Sequence, residues 1–90
     1  MILGKVIGTV VSTKKDERLI GFKLLVVQKH DINLKPVSDY VVAVDTVGAG
    51  FNEVVLLVSG SSARQTARTD KKPVDAAVVG IVDSVSFKGE

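Results

Sequence analysis

The chain has 90 residues and a mass of 9.5 kDa, which is the size of one domain. Hydrophobic residues make up 46% and charged residues 24%, which excludes intrinsic disorder, and the absence of cysteine excludes disulfides and thiolate metal sites. The 12 Lys and Arg residues barely exceed the 10 Asp and Glu residues, so the charge does not favour a dedicated nucleic-acid module.

Valine, isoleucine and threonine supply 28 of the 90 residues, a composition that favours strands. A domain of this size buries only about 60–65% of the surface of its unfolded chain. Because nearly half of the residues are apolar, we expect apolar surface outside the core, and copies of the same chain are the commonest cover for it. No apolar run reaches the roughly 20 residues that span a bilayer, and a signal peptide is not evident, which predicts a cytoplasmic protein with no membrane partner.

The first predicted strand covers residues 2–13. Gly4 and Gly8 share one of its faces, which indicates a bend or a close backbone approach. The charged segment 14–18 is a hairpin loop, and residues 19–29 form the second strand.

One face of this second strand is an unbroken apolar row, and the other face is mixed. The row contains Ile20, Phe22, Leu24 and Val26. We therefore expect one face in the core and one partly covered by a neighbour. Residues 30–38 are predicted as a loop, because Pro36 argues against a central strand.

The third strand is predicted at residues 39–47 and the fourth at 53–58, with a glycine-rich turn at 48–52 between them. Residues 61–68 fit a short helix, in which Ser62 and Gln65 have the spacing of a capping box.

A second polar loop at 69–73 precedes a last strand over residues 74–87, which can bend at Gly80. Five strands and one short helix predict an all-β protein, a small five-stranded antiparallel barrel of the OB-like type that closes on itself and so removes its edges.

No catalytic or metal site can be assembled from this pattern, and we predict a protein that is not an enzyme and has no cofactor. His30 is the sole histidine and has no evident nucleophile beside it. The aspartates are scattered, without metal-ligand spacing. Gly48-Ala-Gly50 lacks the third glycine of a dinucleotide fingerprint and leads into a strand, where that fingerprint leads into a helix.

Several ordered blocks resemble the EutN/CcmL family of bacterial microcompartment vertex proteins, over the whole of a single domain at residues 1–90. The blocks are Gly4-x-Val6-x-Gly8-x-Val10-Val11-Ser12-Thr13-x-Lys15, Leu19-Ile20-Gly21-x-Lys23-Leu24-Leu25, Val42-Ala43-Val44-Asp45-x-Val47-Gly48-Ala49-Gly50 with Glu53, Gly60-Ser61-Ser62-Ala63-Arg64, and Val74-Asp75-x-Ala77-Val78-Val79-Gly80-Ile81-Val82-Asp83. One departure is Asn52, which stands where the family commonly has a glycine. Since Asn tolerates a left-handed backbone, we expect the turn to survive.

The resemblance implies a structural role. Members of this family form pentamers that plug the five-fold vertices of a polyhedral shell in the bacterial cytoplasm, whose facets are tiled by hexameric proteins and which encloses an enzyme pathway. The alternative is an OB-type binding module for single-stranded nucleic acid or another ligand. Binding of single-stranded nucleic acid uses aromatic side chains for stacking and a basic groove, and this chain has only four aromatic residues and a small net charge.

Small residues in two of these blocks would let neighbouring backbones approach near a five-fold axis. The predicted interface set is Gly48, Ala49, Gly50, Glu53, Ser61, Ser62, Ala63 and Arg64. Within it, Arg64 is expected to pair with Glu53 or an aspartate of a neighbouring copy.

Overall fold

The computed structural model describes residues 1–88 and contains one closed β-barrel. Its five strands, in chain order, are β1 (Ile2–Val10), β2 (Leu24–His30), β3 (Pro36–Asp45), β4 (Val54–Ser59) and β5 (Ala76–Ile81). They follow one another around the barrel in the order β1-β2-β3-β5-β4. The all-β fold class and the five-stranded barrel are therefore confirmed.

One junction of the barrel is parallel, where the sequence predicted an antiparallel sheet. β3 and β5 pair in parallel at Val44 with Ala77 and at Asp45 with Val78, whereas the other four junctions are antiparallel. The reason is geometric, because an odd number of strands cannot alternate in direction all the way round a closed barrel. At least one pair of neighbours must run the same way.

The helix predicted at residues 61–68 is wrong in extent and type. A 3₁₀ helix covers Gly60–Arg64, and Ser59 caps it without a side-chain hydrogen bond. Gln65 accordingly does not complete a capping box with Ser62; its main-chain N–H donates to the Ser62 carbonyl at 3.1 Å. These five residues do not form an α-helix, and their Ala63 packs with Val44, Val74 and Ala77.

The second strand is shorter than predicted. Residues Glu17–Leu19 form a 3₁₀ turn capped by Asp16, and Gly21 adopts a φ of +90°, so β2 starts only at Leu24. The first strand likewise ends at Val10, before the predicted residue 13.

The third strand begins earlier than predicted. Pro36 is its first residue, and proline is tolerated at this position although it has no N–H to donate to a neighbouring strand. The predicted loop is therefore shortened to a tight turn. The Asp31 carboxylate closes that turn by accepting hydrogen bonds from the main-chain N–H groups of Asn33 and Lys35.

The last strand ends at Ile81, so the predicted continuation to residue 87 is also wrong. The expected irregularity near Gly80 is present, because the pairing register with β4 shifts between Gly80 and Val78.

The barrel interior is filled by small and medium-sized side chains. The larger cluster consists of Val6, Leu25, Val27, Ala43, Ala49, Val55, Leu57, Ala76 and Val78. A second cluster under the 3₁₀ helix consists of Val44, Ala63, Val74 and Ala77, with Phe22 and Leu24 among the partly buried side chains packed on it. These side chains pack against one another in the interior of the five-stranded barrel.

The core side of β2 is the mixed face. Leu25 and Val27 are fully buried, whereas Leu24 and Val26 are only partly buried and Ile20 is exposed. The unbroken apolar row of the sequence therefore lies on the outside of the barrel. Within residues 1–88, no helix is long and apolar enough to cross a membrane.

Candidate assembly surface

Large apolar side chains remain exposed over much of the barrel. The exposed set is Met1, Ile7, Val11, Ile20, Ile32, Leu34, Val37, Tyr40, Val42, Val47, Phe51, Ile81 and Phe87. Val11 keeps 87% of its surface accessible and Tyr40 keeps 62%. The expectation of apolar surface outside the core is met, and such surface marks a contact region in small soluble proteins.

The first group of predicted interface residues lies in the turn between β3 and β4, residues 48–53, which we call the turn patch. The Asp45 carboxylate fixes its start by accepting hydrogen bonds from the main-chain N–H groups of Val47 at 3.0 Å and Gly48 at 3.1 Å. Gly48 is exposed at a φ of +78°, which a side chain would strain. Ala49 is buried in the barrel core, so it supports the turn from inside.

Glu53 closes the turn patch from its other end. Its Oε1 accepts the Gly50 main-chain N–H at 2.6 Å, and its own N–H donates to the Gly50 carbonyl at 3.2 Å. Asn52 adopts a φ of +70° and donates its N–H to the Val6 carbonyl at 2.8 Å. The expectation that asparagine preserves this turn is confirmed.

The second group lies in the 3₁₀ helix Gly60–Arg64, which we call the helical patch. Ser61 and Ser62 are exposed, and Ala63 is fully buried beneath them. Arg64 is half-buried, and its guanidinium donates to the Val74 carbonyl at 3.0 Å. This bond ties the helical patch to the segment that leads into β5.

The two patches lie at opposite ends of β4, which separates them by six residues of extended chain. The structure therefore brings the predicted residues together as two separate surfaces rather than as one. Glu53 and Arg64 each have a partner within the chain, so a contact between neighbouring copies would add to these bonds or replace them.

Sequence reasoning missed the outward apolar residues of β3, Tyr40 and Val42, as parts of a contact surface. The available signal was the run of apolar residues on both faces of the strand, which exceeds what one barrel interior can hold.

The charged groups do not converge. Arg18 donates to Asp16 through its guanidinium and its main-chain N–H, which lowers the pKa of the Asp16 carboxyl to about 2. Lys29 lowers the pKa of Asp39 by a hydrogen bond at 2.9 Å. Both carboxylates are exposed, and in residues 1–88 no group of three or more His, Asp or Glu side chains is placed to hold a metal ion.

A packed barrel with exposed apolar side chains and two glycine- and serine-containing patches is typical of a structural protein that works through its surface. The sequence model of the family described as "Ethanolamine utilisation protein EutN/carboxysome" matches residues 1–83. The chain belongs to this EutN/CcmL family, and its relatives are shell proteins rather than enzymes.

Among curated relatives, the microcompartment shell vertex protein GrpN of Rhodospirillum rubrum is 59% identical over 85 residues, covering 94% of this chain and 96% of that protein. The carboxysome shell vertex protein CcmL of Gloeobacter violaceus is 50% identical over 86 residues, covering 96% and 86%. These names support a structural shell function over the alternative of an OB-type binding module.

Solved structures show the same barrel. CcmL of Nostoc superimposes with a TM-score of 0.94 at 49% identity, covering 98% of this chain and 93% of that one. A structure described as a pentameric microcompartment shell protein, GrpN of Rhodospirillum rubrum, superimposes with a TM-score of 0.89 at 56% identity, covering 97% and 99%.

Proposed function

We propose that five copies of this chain form a closed ring that caps a five-fold vertex of a microcompartment shell in the bacterial cytoplasm. The observation that carries the proposal is the match to pentameric GrpN, which covers nearly the whole length of both chains at 56% identity. A structural subunit of this kind performs its function by closing a shell and needs no catalytic group.

The surface chemistry supports assembly into a ring. In a cyclic assembly, one patch on each subunit meets a different patch on the next subunit. The chain offers two distinct patches at opposite ends of β4, together with exposed apolar side chains that a ring would cover. Burial of such side chains stabilises an interface by about 25 cal/mol per Å² of apolar surface before the cost of association.

Within the ring, the exposed members of the two patches are the contact residues. Gly48, Ser61 and Ser62 are accessible to a neighbour, whereas Ala49 and Ala63 act from within by holding the patches in place. Gly50, Glu53 and Arg64 are half-buried and border the same surfaces. We propose that Arg64 or Glu53 takes part in a polar contact between neighbouring copies.

The outer partners of the ring are hexameric shell proteins that tile the flat facets. Facets that meet at a vertex slope away from it, so the ring must present its rim to them. The charged loops at residues 14–18 and 69–73 are the candidate rim elements, because most of their residues are exposed and can meet a second protein.

Native mass spectrometry of the purified chain tests the ring directly, with a five-chain particle as the expected species. A monomer at every concentration tried would overturn the proposal. Co-expression with hexameric shell proteins tests the vertex role. Closed shells are expected only when this chain is present, and closed shells with fully occupied vertices in its absence would contradict that role.

A further inference from the structure

Two strands of the barrel run past their neighbours and leave open edges. β1 pairs with β4 from Ile2 to Lys5, and Val6 exchanges two main-chain bonds with the turn patch. Among residues 1–88, the part of β1 beyond Val6 pairs only with β2. β3 meets β5 only at Val44 and Asp45, so its residues 36–43 also pair only with β2 within the described chain.

Hydrogen-bond alternation identifies the main-chain groups that face the open edge of β3. The Asp45 N–H donates to Lys23 on the β2 side, whereas the Thr46 N–H donates to Val78 of β5. Residues of even number in β3 therefore face away from β2. The N–H and C=O groups of Val42 and Tyr40 thus point to the open edge, where residues 1–88 provide no main-chain partner.

The same hydrogen-bond alternation identifies the main-chain groups of β1 that face its open edge. Because the Lys23 carbonyl faces β3, the neighbouring Leu24 and, two residues on, Val26 face β1. Their register partners on β1 are Val10 and Gly8. Thr9, which lies between these two partners, must then direct its N–H and C=O to the open edge.

Natural edge strands are guarded by lysines, prolines, inward charges or β-bulges. Such guards stand only at the start of each edge, as the irregularity between Val6 and Gly8 in β1 and as Pro36 in β3. The β1 edge has no charged residue from Ile7 to Thr13, and the only charge between residues 37 and 43 of β3 is Asp39, which is paired with Lys29. Exposed β-forming side chains, including Val11 and Tyr40, flank the two edges. These are features of edges that are used for pairing.

The placement of the edges matches a head-to-tail contact between copies. They lie on opposite sides of β2, and the β1 edge lies beside the start of β2 whereas the β3 edge reaches its end. An open groove of about 310 Å³ borders the β1 edge at Thr9 and Val11, and one of about 280 Å³ borders the β3 edge at Val42.

Each edge also adjoins one of the two patches. The turn patch is bonded to β1 through Asn52 and Val6. The helical patch is bonded through Arg64 to Val74, which lines the groove beside β3. The β1 edge and the turn patch therefore form one surface, and the β3 edge and the helical patch form a second, different surface.

We infer that the β1 edge around Thr9 of one copy pairs with the β3 edge around Val42 of the next copy, so that main-chain hydrogen bonds join the barrels of the ring. This inference rests on the proposed ring and specifies its interface. The partner is a second copy of this chain, because the two edges are complementary to each other and a cyclic contact uses two different surfaces.

Two proline variants test the inference. Thr9→Pro and Val42→Pro each remove an N–H that faces an open edge and leave the ladder with β2 intact. Thr9→Val and Val42→Thr are the matched controls, since they keep the N–H and a β-branched side chain. Native mass spectrometry is expected to show monomers for each proline variant and the five-chain ring for each control.

Mixing the two proline variants gives a sharper result. Thr9→Pro retains a working β3 edge and Val42→Pro retains a working β1 edge, so the mixture can form one junction and no more. A one-to-one heterodimer is the expected species. Proline variants that remain five-chain rings would overturn the inference and leave the ring itself standing, whereas a monomeric wild-type chain would remove the ring as well.

Amide hydrogen exchange on the wild-type ring covers the case in which the proline variants fail to fold. The Thr9 and Val42 N–H groups have no main-chain partner among residues 1–88, so we expect a neighbouring copy to be what protects them. Exchange slowed by at least about tenfold relative to an unprotected amide supports the inference. Exchange of both amides at the unprotected rate in an intact ring would overturn it.

Discussion

Gly50 and Glu53 hold each other through two hydrogen bonds across the turn that leads into β4. The Gly50 N–H donates to Glu53 Oε1 at 2.6 Å, and the Glu53 N–H donates to the Gly50 carbonyl at 3.2 Å. A Cβ added at Gly50 would lie 3.4 Å from the same carboxylate oxygen. Glu53 is thus a structural element of the turn patch before it is a contact with any neighbour.

Replacing Glu53 with alanine is expected to lower the free energy of unfolding by about 1–3 kcal/mol, because a hydrogen bond to a charged group is lost and the Gly50 N–H loses its acceptor. Glu53→Gln retains an acceptor and is the control, with a smaller loss. Urea denaturation at one fixed chain concentration measures the difference, since ring formation makes stability depend on concentration. Equal stability of the alanine variant and wild type would show that the turn does not need this bond.

Gly4 is required by a close approach of β1 to β2. An added Cβ would lie 2.5 Å from Cγ1 of Val27 and 2.9 Å from the Gln28 carbonyl oxygen. Gly4→Ala is therefore expected to destabilise the barrel by about 1–3 kcal/mol, the usual cost of overpacking.

Gly8→Ala is the matched control for Gly4→Ala, because at Gly8 an added Cβ would meet only Val26 Cβ at 3.9 Å, an ordinary contact. The alanine at position 8 is expected to leave the thermal midpoint nearly unchanged, and circular dichroism measures both variants. A larger loss at position 8 than at position 4 would contradict the packing described for β1.

Asn52 occupies the left-handed region at a φ of +70°, where a β-branched side chain is strongly disfavoured. Asn52→Gly is expected to change the free energy of unfolding by less than about 0.5 kcal/mol, whereas Asn52→Val should cost at least about 1 kcal/mol. Thermal denaturation of both variants at the same chain concentration measures this. A valine variant as stable as wild type would mean that the turn can relax to another conformation.

The sequence predicted the fold class because alternating β-branched segments and glycine-rich turns are local signals. It predicted neither the parallel β3–β5 junction, which follows from closing an odd number of strands, nor the start of β3 at Pro36. The buried face of β2 was also hidden, because Leu24 and Val26 look like core residues until the barrel directs Leu25 and Val27 inward.

The candidate assembly surface was also predictable from the sequence only in part. The family blocks contain the turn patch and the helical patch, but only the three-dimensional fold shows that β4 separates them and that Glu53 and Arg64 already have partners within the chain. The open edges at Thr9 and Val42 carry no sequence motif. They depend on where neighbouring strands stop, which is a long-range property of the barrel.

Asp16 provides a titration test of the loop between β1 and β2. The Arg18 guanidinium, and then its main-chain N–H, hold the pKa of the Asp16 carboxyl at about 2, below its ordinary value of 3.8. Because the pKa is lower in the folded chain, ionised Asp16 favours the folded state above pH 3.8. This contribution disappears as the pH falls through the interval toward 2. Since both side chains are exposed, the effect on total stability is small and screened by salt.

Carbon-detected NMR of the side-chain carboxyl follows this titration directly, and the expected midpoint in wild type is near pH 2. Arg18→Gln removes the guanidinium but keeps the main-chain N–H, which donates to Asp16 Oδ1 at 2.9 Å. The midpoint should therefore rise toward 3.8 without reaching it. Glu17→Gln, at the adjacent residue, is the control and should leave the Asp16 midpoint in place. A wild-type midpoint near 3.8 would mean that the Asp16–Arg18 pair does not persist in solution.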